Sequence, residues 1–384
     1  MHLSLLRWAV LAIAILPLIY YLAATYCAWD FFLHKREPSA EFAPPVSILK
    51  PLKGIEREAY KNLASFCRQD YPQFEILFGV DEDRDPVIPI VERVMHDFPQ
   101  VPTRLVVGTA VRAANNKVAK LCRLLPEARH ELLVMSDGDI RVQPDYLRRI
   151  VSPFRDPSVG AVTSLYRGMT EPNLWSELED LNLTTDWLAS TVVARKLEGV
   201  RFALGATIAV RRSGLAEIGG FEALADCATD DYELGRRIAA RGYRVELVAG
   251  PVLTLCASST ARQFFSRQLR WGVFIRDCRP WGYAGQLFTK GLPWSIAAAL
   301  AAPSLIASLT CLFIPLAARL ALAFSFGAYG MKDPVLARIW WLIPLRDALE
   351  FVIWLLALFW NRVRWGDSEF YVRRGRLIRL RNSP

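Results

Sequence analysis

The sequence predicts an α/β domain built on a mostly parallel sheet and attached to a membrane by apolar segments at both ends. Three observations carry this reading. Short apolar runs alternate with helix-like segments from Pro44 to about Gly250, the surplus apolar residues gather at the two ends, and acidic residues recur where apolar runs stop. With 53% apolar residues among 384, the chain holds one large soluble domain or two small ones, plus membrane segments.

Taken in order, Trp8 to Trp29 is almost uninterrupted apolar sequence with aromatic residues at both edges, the pattern of a transmembrane helix. A cleaved signal peptide is the rival reading. The stretch is longer than an h-region and no small-x-small cleavage site follows it, so the anchor is expected to stay, over residues 1–36. Residues 37–285 read as the soluble domain. There Val46 to Leu49, Phe74 to Val80, Arg104 to Val107, Leu132 to Ser136 and Ala161 to Leu165 are expected strands. Helical stretches fall near Arg57 to Cys67 and Pro86 to Asp97, giving a βαβ succession. No G-x-G and no G-x-x-x-x-G-K-[ST] occurs, which removes the dinucleotide fingerprint and the P-loop.

Residues 286–361 are expected to hold the remaining membrane segments. Leu292 to Gly330 is apolar with only Arg319 charged, and Ile339 to Trp360 is interrupted by Arg346, Asp347 and Glu350. One crossing by each block, with Pro303 and Pro315 as breaks in the first, gives three crossings in all. Lys332 and Asp333 would then lie across the membrane from the domain. The tail over 362–384, with seven arginines, would return to the domain's side, as the positive-inside rule asks. The expected location is the inner cell membrane, multi-pass, with domain and tail cytoplasmic.

The net charge of +9 does not point to nucleic acid, because acids and bases are interspersed through the middle of the chain. Basic clusters sit beside the apolar ends, at His34-Lys35-Arg36 and from Arg362 to Arg381, which favours an anionic membrane surface. Seven cysteines, with no C-x-x-C and no neighbouring histidines, argue against a disulfide framework or a zinc site.

The chemistry centres on LLVMSDGDIRV, Leu132 to Val142, where a run too short for a helix stops at Asp137 and Asp139. Two carboxylates at a sheet edge suit Mg²⁺ or Mn²⁺, which prefer oxygen ligands and share a substrate's phosphates; a polar turn is the plainer reading. Further acids follow at Asp81-Glu82-Asp83-Arg84-Asp85 and at Asp230-Asp231. Either cluster alone could be a helix N-terminus stabilised by the dipole, but capping needs one acid where two are supplied. Arg267 and Arg270 lie three apart beside Trp271, on one helical face. Paired guanidiniums hold a pyrophosphate well, and the alternative is an interfacial helix with snorkelling arginines.

VSILKPLKG, FEILFGVDEDRDP, MSDGDIRV, TDDYELG and SRQLRW, in this order from Pro45 to Trp271, resemble the ceramide glucosyltransferase family of membrane glycosyltransferases. The resemblance implies a GT-A nucleotide-sugar fold with the D, D, D, (Q/R)xxRW signature. It implies a UDP-sugar donor with uracil and ribose near Lys50 and the Asp81, Glu82, Asp83 cluster. It further implies Mn²⁺ or Mg²⁺ and the phosphates at Asp137 and Asp139, a catalytic base at Asp231, and Arg267, Arg270 and Trp271 on the pyrophosphate and acceptor side. Relatives commonly carry Gln-Asp after the Val, so which acid of Asp81, Glu82 and Asp83 takes the first role stays open. The implied reaction is inverting transfer, most simply of glucose, to a membrane lipid such as ceramide. A closely similar bacterial group transfers N-acetylglucosamine to hopanoid lipids and shares the DxDIRV form. Processive polysaccharide synthases share (Q/R)xxRW but need a larger membrane bundle. A non-catalytic scaffold would lack the base, whereas Asp231 is present.

Overall fold

The computed structural model describes residues 2–34, 41–111, 113–366 and 368–380. Its main sheet has seven strands: β1 (Val46–Pro51), β2 (Phe74–Val80), β3 (Thr103–Val107), β4 (Leu132–Ser136), β5 (Val159–Met169), β6 (Thr207–Arg211) and β7 (Arg244–Leu255). They are arranged in the order β3-β2-β1-β4-β6-β5-β7. Only β6 runs antiparallel to its neighbours β4 and β5, so the sheet is mostly parallel, as the sequence predicts. Helices cover both faces, and accordingly all six residues of β1 and all five of β4 are buried. Val46 pairs with both Phe74 and Leu132, which brings the C-terminal ends of β1, β2 and β4 to one edge of the sheet. An open α/β sheet binds its ligands at that edge.

Two helical segments are long and apolar enough to cross a membrane, Leu5–Leu33 and Leu305–Gly330. The block expected to cross once is instead a helical hairpin: Gly291–Ala301 turns at residues 302–304 and Leu305–Ala323 returns beside it, with Ser308 Oγ donating to the carbonyl of Ala299 at 2.8 Å. Pro303 lies in the turn, while Pro315 remains inside the helix. Lys332 and Asp333 lie against the domain, not across a membrane from it as expected. Arg167 of β5 donates to the carbonyls of Met331 and Lys332, and Thr184 Oγ1 donates to Asp333 at 2.8 Å.

The second apolar block, expected to cross back, forms the helix Ile343–Phe359 and lies along the helix Ala261–Cys278. Arg346 donates to Gln268 at 2.9 Å near one end, and Arg276 donates to the carbonyl of Leu358 at 2.9 Å near the other. Its interrupting charges are matched at 2.9 Å each: Arg346 and Lys290 with Glu350, and Asp347 with Arg319. The tail also folds. Strands β8 (Arg362–Trp365), β9 (Ser368–Arg373) and β10 (Arg376–Arg379) form an antiparallel sheet. It docks on the domain through Ala228 N to Gly375 O and Leu377 N to Asp226 O, both 2.9 Å. The basic residues Lys35, Arg36 and Arg381 lie outside the described residues. All seven cysteines are free thiols.

Candidate active site

The loops after β1, β2 and β4 enclose a cavity of about 240 Å³, lined by Pro51 to Gly54, Glu56, Asn115 to Lys117, Lys120, Asp137 and Gly138. Lys50, at the end of β1, is fully buried; its ammonium donates to the backbone carbonyl of Asp137 and lies 4.0 Å from the Phe66 ring centroid. Burial lowers its pKa to about 7. Lys50 thus braces the turn carrying Asp137 from behind.

Asp137 and Asp139 flank Gly138 at the end of β4. Lys117 Nζ stands 2.7 Å from Asp137 Oδ1, and Thr254 Oγ1 donates to Asp139 Oδ2 at 3.0 Å. Among the described residues the second oxygen of each carboxylate carries no hydrogen bond. A cluster of three or more His, Cys, Asp or Glu ligands is absent among the described residues. Two carboxylates with free oxygens and no softer ligands fit a hard divalent ion that takes its other ligands from phosphates and water.

The helix Asp230–Ala240 brings the second acidic pair to the same place. Asp230 accepts from Asn115 Nδ2 at 3.0 Å and lies 3.6 Å from Lys117, which makes it the anchor of the Asn115–Lys117 turn. Among the described residues Asp231 has no cation within ion-pair distance. Burial and the Asp230 charge push its pKa up to about 6. Gly205 is needed beside it, because a Cβ there would lie 2.8 Å from Asp231 Oδ2.

Of the acids Asp81, Glu82 and Asp83, Asp81 touches the cavity wall through Lys120 at 3.0 Å, whereas Glu82 and Asp83 are exposed and do not line it. Asp85 is a local brace, accepting from Gly54 N and Val87 N, both at 3.0 Å. On the other side, Arg267 pairs with buried Glu179 at 3.0 Å and sits 5.9 Å from the Trp271 ring centroid. Trp271 stacks on Trp187 at 6.2 Å, and Trp187 meets Tyr166 edge-on at 5.6 Å.

The sequence profile of glycosyl transferase family 21 matches residues 9–378. The chain belongs to that family. Ceramide glucosyltransferase 1 of Caenorhabditis elegans is 26% identical over 260 residues, covering 67% of this chain and 55% of the relative. The β-monoglucosyldiacylglycerol synthase of Synechocystis sp. is 24% identical over 258 residues, 65% of this chain and 52% of the relative. The chain therefore spans about half the length of these relatives. A mannosyltransferase of Pyrobaculum calidifontis, solved with GDP-mannose and Mn²⁺, shares the fold with a TM-score of 0.55 at 22% identity, covering 91% of this chain and 99% of the other. This chain thus belongs to a glycosyltransferase family and has the GT-A fold.

In this glycosyltransferase, several site residues escape a reading of the sequence. Asn115, Lys117 and Lys120 come from one short helix start, and their only sequence signal is the polar turn Asn115-Asn116-Lys117. Trp187 is turned toward the cleft by a π-helical stretch, Leu183–Trp187, of the kind often found at functional sites. The C-terminal sheet supplies Trp365, Gly366, Ser368, Phe370 and Arg379 to the cavity wall. Arg270, expected at the pyrophosphate with Arg267, lies under that sheet: its guanidinium is 5.7 Å from the Trp365 ring centroid and donates to Arg364 O at 3.4 Å.

Proposed function

We propose that this glycosyltransferase transfers glucose from a UDP-sugar to the hydroxyl of a membrane lipid of the ceramide class, with inversion, on the cytoplasmic side of the inner membrane. One observation carries the reading. Tyr166 lies within the charge influence of Asp137, Asp139 and Asp231, and it leads through Trp187 to Trp271, whose helix, Ala261–Cys278, lies along the apolar Ile343–Phe359. A lipid alcohol arriving along apolar helices meets a carboxylate poised to take its proton.

In this mechanism Asp231 accepts the proton of the acceptor hydroxyl as its oxygen attacks the anomeric carbon from the face opposite UDP. Asp137 and Asp139 would hold Mn²⁺ or Mg²⁺ with the phosphates; when bound, the ion supplies positive charge to the departing UDP. Lys117 keeps Asp137 in place and Asp230 keeps Lys117 in place. Asp81, with Lys120, is assigned the nucleoside side, ahead of Glu82 and Asp83.

The Synechocystis relative supports a second acceptor, a diacylglycerol-type lipid, and the DxDIRV resemblance supports N-acetylglucosamine transfer to a hopanoid. The test is purified full-length protein with labelled UDP-glucose and UDP-N-acetylglucosamine against ceramide, diacylglycerol and hopanoid acceptors, with the product anomer read by NMR. Glucosylceramide in the β configuration supports the first reading. Transfer to none of the three lipids, or a polymeric product, overturns it.

A further inference from the structure

Away from the cleft, a larger cavity of about 1320 Å³ opens between β7, the segment 143–156 and the ends of the two long apolar helices. None of the acids or lysines of the cleft lines it. Its wall carries the cations Arg149, Arg155, Arg167, Arg195, Arg244 and Lys332, against the acids Asp145, Asp156 and Glu246. Those acids are already matched, Arg149 to Asp145 at 3.1 Å, and Arg244 to Asp156 at 2.8 Å and to Glu246. Arg167 gives its donors to the carbonyls of Met331 and Lys332.

Arg155, Arg195 and Lys332 have no carboxylate within ion-pair distance among the described residues. Arg195 instead lies 5.0 Å from the Phe31 ring centroid, and Asp30, whose charge it feels, is held by Lys196 at 2.9 Å. Lys332 is kept in a left-handed conformation, φ 52°, with Arg167 bonded to its carbonyl. Three cations with no ion-pair partner among the described residues therefore line a wide groove whose wall also includes exposed Tyr329 and the edges of buried Phe31 and Phe32.

The position selects the anion. Phe31 and Phe32 end the first long apolar helix and Tyr329 ends the second, and Trp29 stacks on Tyr329 at 4.5 Å. If these helices span the bilayer, as in the reading above, the groove opens at headgroup depth, where anionic lipid phosphates concentrate. We propose that the groove is a binding site for an anionic phospholipid, its phosphate held by the cations Arg155, Arg195 and Lys332 and its glycerol end against Tyr329.

The test uses the full-length protein equilibrated in detergent with equal amounts of phosphatidylcholine and phosphatidylglycerol, then repurified, with retained lipid counted by mass spectrometry. Phosphatidylglycerol should be retained in preference, and the preference should fall about fivefold for each cation removed in Arg155→Gln, Arg195→Gln and Lys332→Gln. Arg241→Gln, an exposed arginine away from the groove, should leave it unchanged. Equal retention of the two lipids, or equal loss in all four variants, overturns the proposal. Displacement of the lipid by millimolar inorganic phosphate would identify a free-anion site instead and also overturn it. The readout is retained lipid, so its failure is separate from any failure to transfer sugar to ceramide.

Discussion

Replacing Asp231 by Asn tests the chemistry most directly, because the structure separates it from the neighbouring Asp230. The carboxamide keeps the volume beside Gly205 and retains an oxygen to accept from Tyr232 N, now bonded at 2.8 Å, so the fold should survive. Loss of a general base costs about 10² to 10⁴ in rate, or about 3 to 5 kcal/mol in the barrier. Turnover of Asp231→Asn should therefore fall by at least about 10², while UDP titration gives near-normal donor affinity. Asp230→Asn keeps the bond from Asn115 and loses the 3.6 Å pairing with Lys117, so its turnover should fall less than about tenfold. The pH profile gives a second readout. The Asp231 pKa is raised to about 6, so protonation removes the base as pH falls, and kcat/KM should decline below about pH 6. Asp230 is one cause of that rise, and neutralising it should move the acid limb to lower pH. Near-normal turnover in Asp231→Asn, or equal loss in both variants, would refute the assignment.

Chelation should abolish transfer and Mn²⁺ or Mg²⁺ restore it, and Asp137→Asn should weaken donor binding as well as rate; full activity in excess chelator removes the metal from the reading. Arg379→Ala should raise the donor KM roughly three- to tenfold with the acceptor KM unchanged and Arg379→Lys partly restoring it, the scale of one exposed charge-assisted contact. Unchanged donor KM would separate the C-terminal sheet from donor binding. A protease site inserted at residues 302–304 should be cut from outside in intact cells and one at Lys332 protected; the reverse pattern would refute the hairpin topology.

The legible parts of this chain are those where local pattern and final environment agree. Strands β1, β2 and β4 are short apolar runs that end in charge, and both the strand and the acids it delivers can be read off. Strand β7 was harder, because Gly250-Pro251 interrupts RVELVAGPVLTL and splits one strand into two weak signals. Lys117 and Lys120 look like a solvated helix face; only the sheet topology turns that face, beside buried Val118 and Leu121, toward the strand ends. The block Ile339 to Trp360 has the composition of a span, yet its helix buries Arg346 and pairs Glu350 with Lys290, which composition does not reveal. In the tail, seven arginines hid a period-two signal: Val363, Phe370, Val372 and Leu377 are buried between charged residues. Gly235 of TDDYELG was legible as part of a motif, but its reason is packing: a Cβ there would meet the backbone of Phe202 at 2.2 Å.

The SRQLRW segment shows how one helical face divides its work. Spacing alone puts Arg267 and Arg270 on a shared pyrophosphate. In the structure Arg267 is charge-compensated by buried Glu179, whereas Arg270 has no carboxylate within ion-pair distance among the described residues. Burial and the charge of Arg267 lower the Arg270 pKa to about 10, the signature of a cation lacking a counter-charge. Its guanidinium lies against Trp365, which lines the cavity, whereas Arg267 is paired with Glu179. Gln268, between them, is buried and accepts from Asn182 at 3.1 Å and Arg346 at 2.9 Å, which ties the same helix to the apolar Ile343–Phe359. One turn of helix therefore joins the apolar Ile343–Phe359, the Trp187–Trp271 stack and the C-terminal sheet.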